Sequence, residues 1–239
     1  MTITKPGWQE RVCRVDGIDA RGCLFHVASG AENFRVTQYG GEREFTQQMT
    51  EAVAPGETFF DIGACIGFVA IHAARRGAKV YAFEPDPQFR SRLVQNVSLN
   101  ELHDVHVLGW AISDADGAAT LFTDGQHGLS PTLAPSTGRG SIETPLRSID
   151  SAIATGELSM PHVVKLDIEG AEVRALRGMR QTLAHDDRPR QLFLEVHPPF
   201  IQQFGDDPAE VEAILSGAGY KLIDRRGRYE QLHENWEAA

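Results

Sequence analysis

The run Thr58-Phe59-Phe60-Asp61-Ile62-Gly63 constrains this chain more than any other. A stretch this rich in aromatic and β-branched residues, closed by a glycine, is a buried strand ending in a tight turn. Gly67 and the apolar-periodic segment Phe68 to Arg76 then predict a helix packed back along it. Lys79-Val80-Tyr81-Ala82-Phe83 and a helix from Gln88 to Asn100 repeat the unit. Strand, helix, strand, helix requires a parallel sheet, because only a crossover brings the next strand in the same direction. The alternation continues through a third strand, Val105 to Ala111, and a fourth, His162 to Asp167. A helix from Ala171 to Ala184, a fifth strand, Gln191 to Val196, and a helix from Pro208 to Gly217 follow. Two late strands, Tyr220 to Ile223 and Arg228 to Leu232, close the chain. The expected fold is α/β: a mostly parallel, doubly wound, Rossmann-like sheet ending in an antiparallel hairpin.

Residues 1–54 read as an N-terminal extension, with one or two hairpins over 9–39 and a helix from Glu42 to Ala54, stopped by Pro55-Gly56. Residues 55–239 form the main domain. An inserted hairpin at about 114–147 interrupts it, with strands at Ala119 to Phe122 and Glu143 to Leu146 and a short helix after it from Ile149 to Thr155. The polar loop between those strands carries Ser130, Thr132 and Ser136 and suits a cover over a substrate. Lys plus Arg number 23 against 33 for Asp plus Glu, a net charge of -10, which argues against a nucleic-acid partner. Cys13, Cys23 and Cys65 lack metal-ligand spacing and read as reduced thiols. With no signal-like start and no apolar run long enough to span a bilayer, a soluble, cytoplasmic protein without a membrane partner is expected. Nothing in the pattern sets an oligomeric state.

Ligands of such sheets bind beyond the carboxyl ends of the strands. A dinucleotide fingerprint places glycines at its first, third and sixth positions, but here they stand at the first and fifth, Gly63 and Gly67, with Asp61 two residues ahead. A carboxylate there repels a diphosphate and suits a cationic amino group. Glu84, in Phe83-Glu84-Pro85-Asp86 at the end of the second strand, is placed to hold both hydroxyls of a ribose. A nucleoside joined to an amino acid satisfies both ends, and S-adenosylmethionine is that cofactor. The alternatives are an NAD(P)-dependent oxidoreductase, which Glu84 allows, and a non-catalytic or nucleic-acid-binding protein of the same fold.

Phe59 to Gly67 resembles the first motif of class I S-adenosylmethionine-dependent methyltransferases. Val163-Val164-Lys165-Leu166-Asp167-Ile168-Glu169-Gly170-Ala171-Glu172, followed by Leu192 to His197, is similar to the FkbM family, as is Trp110-Ala111-Ile112-Ser113-Asp114 with Gly117. The similarity runs from about Glu42 to Leu232. It implies the class I methyltransferase fold and O-methylation of hydroxyls on sugars, glycoconjugates or polyketide-type natural products. It further implies that Asp61, Gly63, Ala64 and Gly67 surround the methionine part, Glu84 with Pro85 the ribose, and Trp110, Ala111 and Ile112 the adenine. Trp110 as plain core is the alternative.

Methyl transfer from a sulfonium is an in-line displacement, and an alcohol acceptor must also lose a proton. With period two along a strand, Lys165 and Asp167 share one face of the fourth strand, as Glu195 and His197 share one face of the fifth. His197 is the candidate general base, Glu195 orients it or binds a substrate hydroxyl, and Asp167 lies near the reacting methyl. No metal is predicted; in the alternative the same residues hold a divalent cation. Glu172 reads as a charge complementing a helix N-terminus, a reading open to Glu169 too; pairing of Lys165 with one of these acids, and His197 as the start of a turn before Pro198-Pro199, are the structural alternatives.

Overall fold

A computed structural model describes residues 9–16, 22–38, 42–123, 131–133 and 140–239. The chain begins with β1 (Arg11–Val15) and β2 (Cys23–Val27), one antiparallel hairpin, then α1 (Gly30–Thr37) and α2 (Arg43–Ala52). The alternating body follows: β3 (Thr58–Ile62), α3 (Phe68–Arg75), β4 (Lys79–Phe83), α4 (Pro87–Leu99) and β5 (Val105–Leu108). β6 (Ala111–Ile112), β7 (Gly117–Thr123) and β8 (Gly140–Arg147) form a separate three-stranded sheet, and α5 (Ile149–Ala154) returns the chain to the main one. β9 (Val163–Leu166), α6 (Glu172–Arg177), α7 (Arg180–Ala184), β10 (Gln191–Val196), α8 (Pro198–Gln203) and α9 (Ala209–Gly217) lead to the closing pair β11 (Tyr220–Arg228) and β12 (Gln231–Ala238).

The main sheet has seven strands in the order β11-β12-β10-β9-β3-β4-β5. The five strands from β10 to β5 are parallel, and β12 and β11 are added antiparallel. This is the Rossmann-like α/β architecture expected from the alternation. β3 is buried at every position because helices cover both faces of the sheet. Phe60 and Ile62 point into one core with Val164, Leu166 and Leu194, while Phe59 points into the other with Val163, Phe193 and Ala70.

Several elements depart from expectation, each for a local reason. The third strand stops at Leu108 and does not reach Ala111. Arg90 donates to the Glu84 and Pro85 carbonyls, and a side chain at Gly109 would lie 2.9 Å from that guanidinium. The chain therefore turns out of the sheet, and Ala111 and Ile112 pair with β8. The predicted helix Ala171 to Ala184 is two helices, broken where Gly178 presses on the Ser113 carbonyl, 2.0 Å from where a Cβ would sit. A helix with Pro198 and Pro199 in its first turn follows His197 where none was expected. Among the described residues the extension holds one hairpin, and α1 follows it: Ser29 caps α1, accepting from Glu32 N–H while Glu32 accepts from Ala28 N–H. The last turn lies at Tyr229-Glu230, inside the strand expected over Arg228 to Leu232, so both late strands are longer than their apolar residues indicate. Ser130 and Ser136 lie outside the described residues. Among the described residues, no helix is long and apolar enough to cross a membrane.

Asn96 of α4 and Asn100, its C-cap one turn on, tie the hairpin to the body. Asn100 accepts from Leu24 N–H at 2.9 Å and donates to Leu24 O at 2.7 Å, completing a strand-like pair with side-chain atoms. Asn96, fully buried, accepts from His26 N–H at 2.8 Å and donates to Ile66 O at 2.9 Å, so one amide joins the hairpin to the turn after β3. Asn96→Ala is expected to cost about 2–4 kcal/mol, one orphaned buried backbone group at each end, read as a lower midpoint in urea with an unchanged slope.

Candidate active site

The turn after β3 is built on backbone geometry that side chains tolerate poorly. Gly63 and Ala64 donate to Phe83 O, both at 3.0 Å, and Gly63, Cys65 and Gly67 take φ values of +84°, +51° and +86°. A Cβ on Gly63 would stand 1.8 Å from Asp167 O, so the loops after β3 and β9 touch through this glycine. Gly63→Ala is expected to destabilise the fold by about 2–5 kcal/mol, combining left-handed strain with overpacking; denaturant titration measures it.

Asp61 lies opposite Lys165 in the ladder and is fully buried. Its Oδ2 accepts from Ala70 N–H at 2.9 Å and its Oδ1 stands 3.1 Å from Lys165 Nζ. Lys165 also donates to Gly63 O at 2.7 Å and approaches Asp167 Oδ2 at 3.4 Å. Burial alone would lower the lysine pKa, but the Asp61 and Asp167 carboxylates outweigh it and raise it. The structure thus places the Asp61 charge against an internal lysine that braces the glycine turn, where the sequence suggests a ligand amino group.

Glu84 is 4% exposed at the end of β4, and burial pushes its carboxyl up to about 7. Each oxygen accepts one backbone N–H at 2.8 Å, from Cys65 and Asp86, and each retains a lone pair. Beside it a crevice of about 720 Å³ runs between Gly63 and Cys65 on one side and Pro85, Trp110, Ala111 and Ile112 on the other. Trp110 packs 6.2 Å from Phe83 and lies under the Arg147 guanidinium at 5.4 Å, so protein groups hold the indole in the crevice wall. Thr132, from the inserted loop, lines the same crevice and donates to Glu169 O at 3.1 Å. An acid at one end, an apolar slot at the other and a glycine turn between them fit a nucleoside carrying an amino-acid arm.

At Gly63, Cys65, Asp167 and Glu169 this crevice meets a second, of about 1170 Å³, walled by Phe34, Arg35, Glu42 and Phe45 of the extension and by Arg228. Asp167, Glu169 and Glu195 line it, with a buried histidine cluster behind them. His197, 4% exposed, has Nδ1 2.8 Å from Glu172 Oε1, and its Nε2 lies 3.4 Å from Glu195 Oε1 and 3.6 Å from Glu169 Oε2. Glu195 faces His233 across the β10–β12 ladder at 3.5 Å and accepts from Gln231, while Glu42 pairs with Arg228. Burial would lower the His197 pKa, yet Glu172, Glu195 and Glu169 raise it to about 12. Burial opposes ionisation of Glu195, and His197 with His233 holds it down to about 2. Asp167 is raised to about 7 by burial and by Glu195, against the pull of Lys165. Glu42 is raised to about 8 by burial, then by Glu195 and Asp167.

The structure therefore brings Asp167, Glu195 and His197 together at the junction of the crevices and sets Gly63, Glu84, Pro85, Trp110, Ala111 and Ile112 around the first. Ala64 lies in the turn bordering the second, and Gly67, whose Cβ would meet Leu93 at 2.2 Å, packs α3 onto α4. Asp167, Glu169 and His197 hold three donor atoms within 4.8 Å of one another, and His197 Nδ1 faces the Glu172 carboxylate, so the set has the chemistry to take a divalent cation as well as to hold a charged ring. Glu172 escapes a sequence assignment to the site. The signal for it was its company: a carboxylate beside Ala171, Val173 and Leu176, all buried, must have a partner.

The sequence profile of the methyltransferase FkbM domain matches residues 61–222. The chain is 29% identical to the hexuronic acid methyltransferase AglP of Haloferax volcanii, over 87% of this chain and 80% of that one. It is 27% identical to the 31-O-demethyl-FK506 methyltransferase FkbM of Streptomyces tacrolimicus, over 83% and 85% of the two chains. Among solved structures, TYW2 of M. jannaschii in complex with AdoMet superposes with a TM-score of 0.50 at 16% identity, covering 98% of this chain and 89% of that one.

Proposed function

From its membership of the FkbM methyltransferase family, to which this chain belongs, we propose that the protein is an S-adenosylmethionine-dependent O-methyltransferase acting on a hydroxyl of a small molecule or sugar. The observation that carries this reading is the junction itself: the cofactor crevice opens onto the second crevice at Asp167 and Glu169, beside His197 and Glu195. A methyl donor in the first crevice and an acceptor hydroxyl in the second meet there, over groups able to take a proton.

In this reading the turn from Gly63 to Gly67 cups the amino-acid arm, with Asp61 acting through Lys165 and Gly63 O. Glu84 accepts the ribose hydroxyls on its remaining lone pairs beside Pro85, and Trp110, Ala111 and Ile112 face the base. S-adenosylmethionine supplies the electrophilic methyl on a sulfonium. The extension, residues 1–54, roofs the acceptor crevice through α1 and α2, and residues 55–239 form the catalytic domain with its inserted hairpin at about 114–147. The reading includes no metal in the transfer; Lys165 brings positive charge to Asp61 and Asp167.

The acceptor is a small molecule in preference to nucleic acid, supported by the net charge of -10. AglP is named for a hexuronic acid, which supports a sugar acceptor. Three free cysteines support work in a reducing cytoplasm. The test is methyl transfer from labelled S-adenosylmethionine to a panel of hexuronic acids and neutral hexoses. Alkali-stable label in the sugars, unchanged by EDTA, is expected. Label restricted to RNA would contradict the acceptor class, and loss of transfer in EDTA would bring back the metal.

A further inference from the structure

We propose that Arg35 of α1 binds the carboxylate of the methionine arm of S-adenosylmethionine, which makes the N-terminal extension part of the cofactor site; this rests on the reading of the first crevice as the cofactor crevice. The arm carries an ammonium and a carboxylate, and a carboxylate is held by backbone N–H groups or by a cation.

The glycine turn has few N–H groups left to give. Gly63 and Ala64 donate to Phe83 O, Gly67 donates to Ala64 O, and Cys65 donates to Glu84 Oε2. In the first turn of α3, Ala70 N–H is taken by Asp61 Oδ2. Lys165 is likewise engaged, by Gly63 O, Asp61 and Asp167. A loop that holds an anion aims its N–H groups at the ligand, whereas this one spends them on its own carbonyl and carboxylate oxygens.

Arg35 supplies what the turn does not. Of the described residues lining the first crevice, Arg35, Glu84, Asp167 and Glu169 carry charge, and Arg35 alone among them is a cation. It also borders the second crevice, as do Gly63, Cys65, Asp167 and Glu169, so it stands where the two meet. The arm runs from the ribose at Glu84 toward that junction. There Arg35 matches the carboxylate and Glu169 the ammonium, with Asp167 left to the acceptor. The Arg35 charge is felt in the turn: burial raises the Cys65 thiol to about 12, and Arg35 is the largest influence opposing it. An acidic acceptor is the other source of a carboxylate here, but the second crevice has Lys165 and Arg228 on its walls as well.

The extension holds Arg35 against the turn from several sides. α1 is capped by Ser29, and its Glu32 pairs with Arg92 of α4 at 3.3 Å. Val36, fully buried beside Arg35, packs in one cluster with Phe25 of the hairpin and Ile66 of the turn. The guanidinium carbon itself lies 5.7 Å over the Phe89 ring of α4.

The test is calorimetry with S-adenosylhomocysteine and with its carboxamide, which keeps the ammonium and loses the anion. Arg35→Met is expected to weaken binding of S-adenosylhomocysteine by about 10–100-fold and to leave binding of the carboxamide unchanged, with the Tm of the unliganded protein as in the wild type. Arg35→Lys keeps the charge without the fork and should recover part of the loss. Equal losses for the two ligands would overturn the assignment, because a change in crevice shape does not read the carboxylate. Undiminished affinity for S-adenosylhomocysteine in Arg35→Met would overturn it too, and a raised KM for an acidic acceptor would then move Arg35 to the second crevice. If Arg35→Met does not fold, Arg35→Gln carries the same comparison. A wild type that binds neither ligand would instead overturn the cofactor reading itself.

Discussion

Asp167→Asn is expected to lower kcat by about 10²–10⁴-fold, the range spanned by loss of a general base, with the fold intact. The neutral amide keeps the shape of the side chain and the backbone carbonyl that meets Gly63, but cannot accept the acceptor's proton. Binding separates this from a steric effect: affinity for S-adenosylhomocysteine, whose sulfur is neutral, should hold, while the sulfonium of S-adenosylmethionine, losing a facing carboxylate, binds less tightly. The wild-type pH profile follows from the same group. A carboxylate base works deprotonated, so kcat should rise with pH below about 7 and level off above it. A profile flat through neutrality, or full activity in the asparagine variant, would remove Asp167 from the proton's path.

Lys165→Met is expected to be the most destabilising change in the site, because it leaves the Asp61 carboxylate buried without its cation. Stranding one member of a buried pair costs about 3–5 kcal/mol, which in a domain of this size lowers Tm by roughly 10 °C. It also releases Gly63 O, held at 2.7 Å, so S-adenosylhomocysteine affinity should fall with stability. Asp61→Asn placed on top of Lys165→Met should recover much of the loss, since the double variant strands no charge, and the coupling energy of the cycle reads the pair directly. A single-variant cost below about 1 kcal/mol, the worth of an exposed ion pair, would show that Lys165 does not brace the turn.

The parallel body was legible in the sequence because its strands are buried on both faces. Continuous apolar runs such as Thr58 to Ile62 and Val163 to Leu166 then alternate visibly with helices, and the glycines between them mark the ligand edge. What escaped depends on contacts between distant residues. Nothing local announces that Gly178 must make room for the Ser113 carbonyl, or that Arg90 holds the chain where it leaves β5 at Gly109. The capping box Ser29-x-x-Glu32 was local and readable, but the hairpin pattern before it drew α1 into the strand prediction.

At the site, strand periodicity correctly paired Glu195 with His197 and Lys165 with Asp167, because both pairs sit at the ends of neighbouring strands. Periodicity does not reveal which partners saturate a side chain. Asp61 and Lys165 are in register only once β3 and β9 are adjacent, and Glu172 reaches His197 only after α6 folds over the sheet. The surroundings that set the protonation of His197 and Asp167 are likewise properties of that assembly, which strand periodicity does not contain.

Calorimetric titration with S-adenosylhomocysteine tests the central claim, that the crevice at the Gly63 turn holds a sulfonium-derived cofactor. Saturable binding of one molecule per chain, weakened in Glu84→Ala and absent with NAD, is the expected result. Heat with NAD and none with S-adenosylhomocysteine would contradict it.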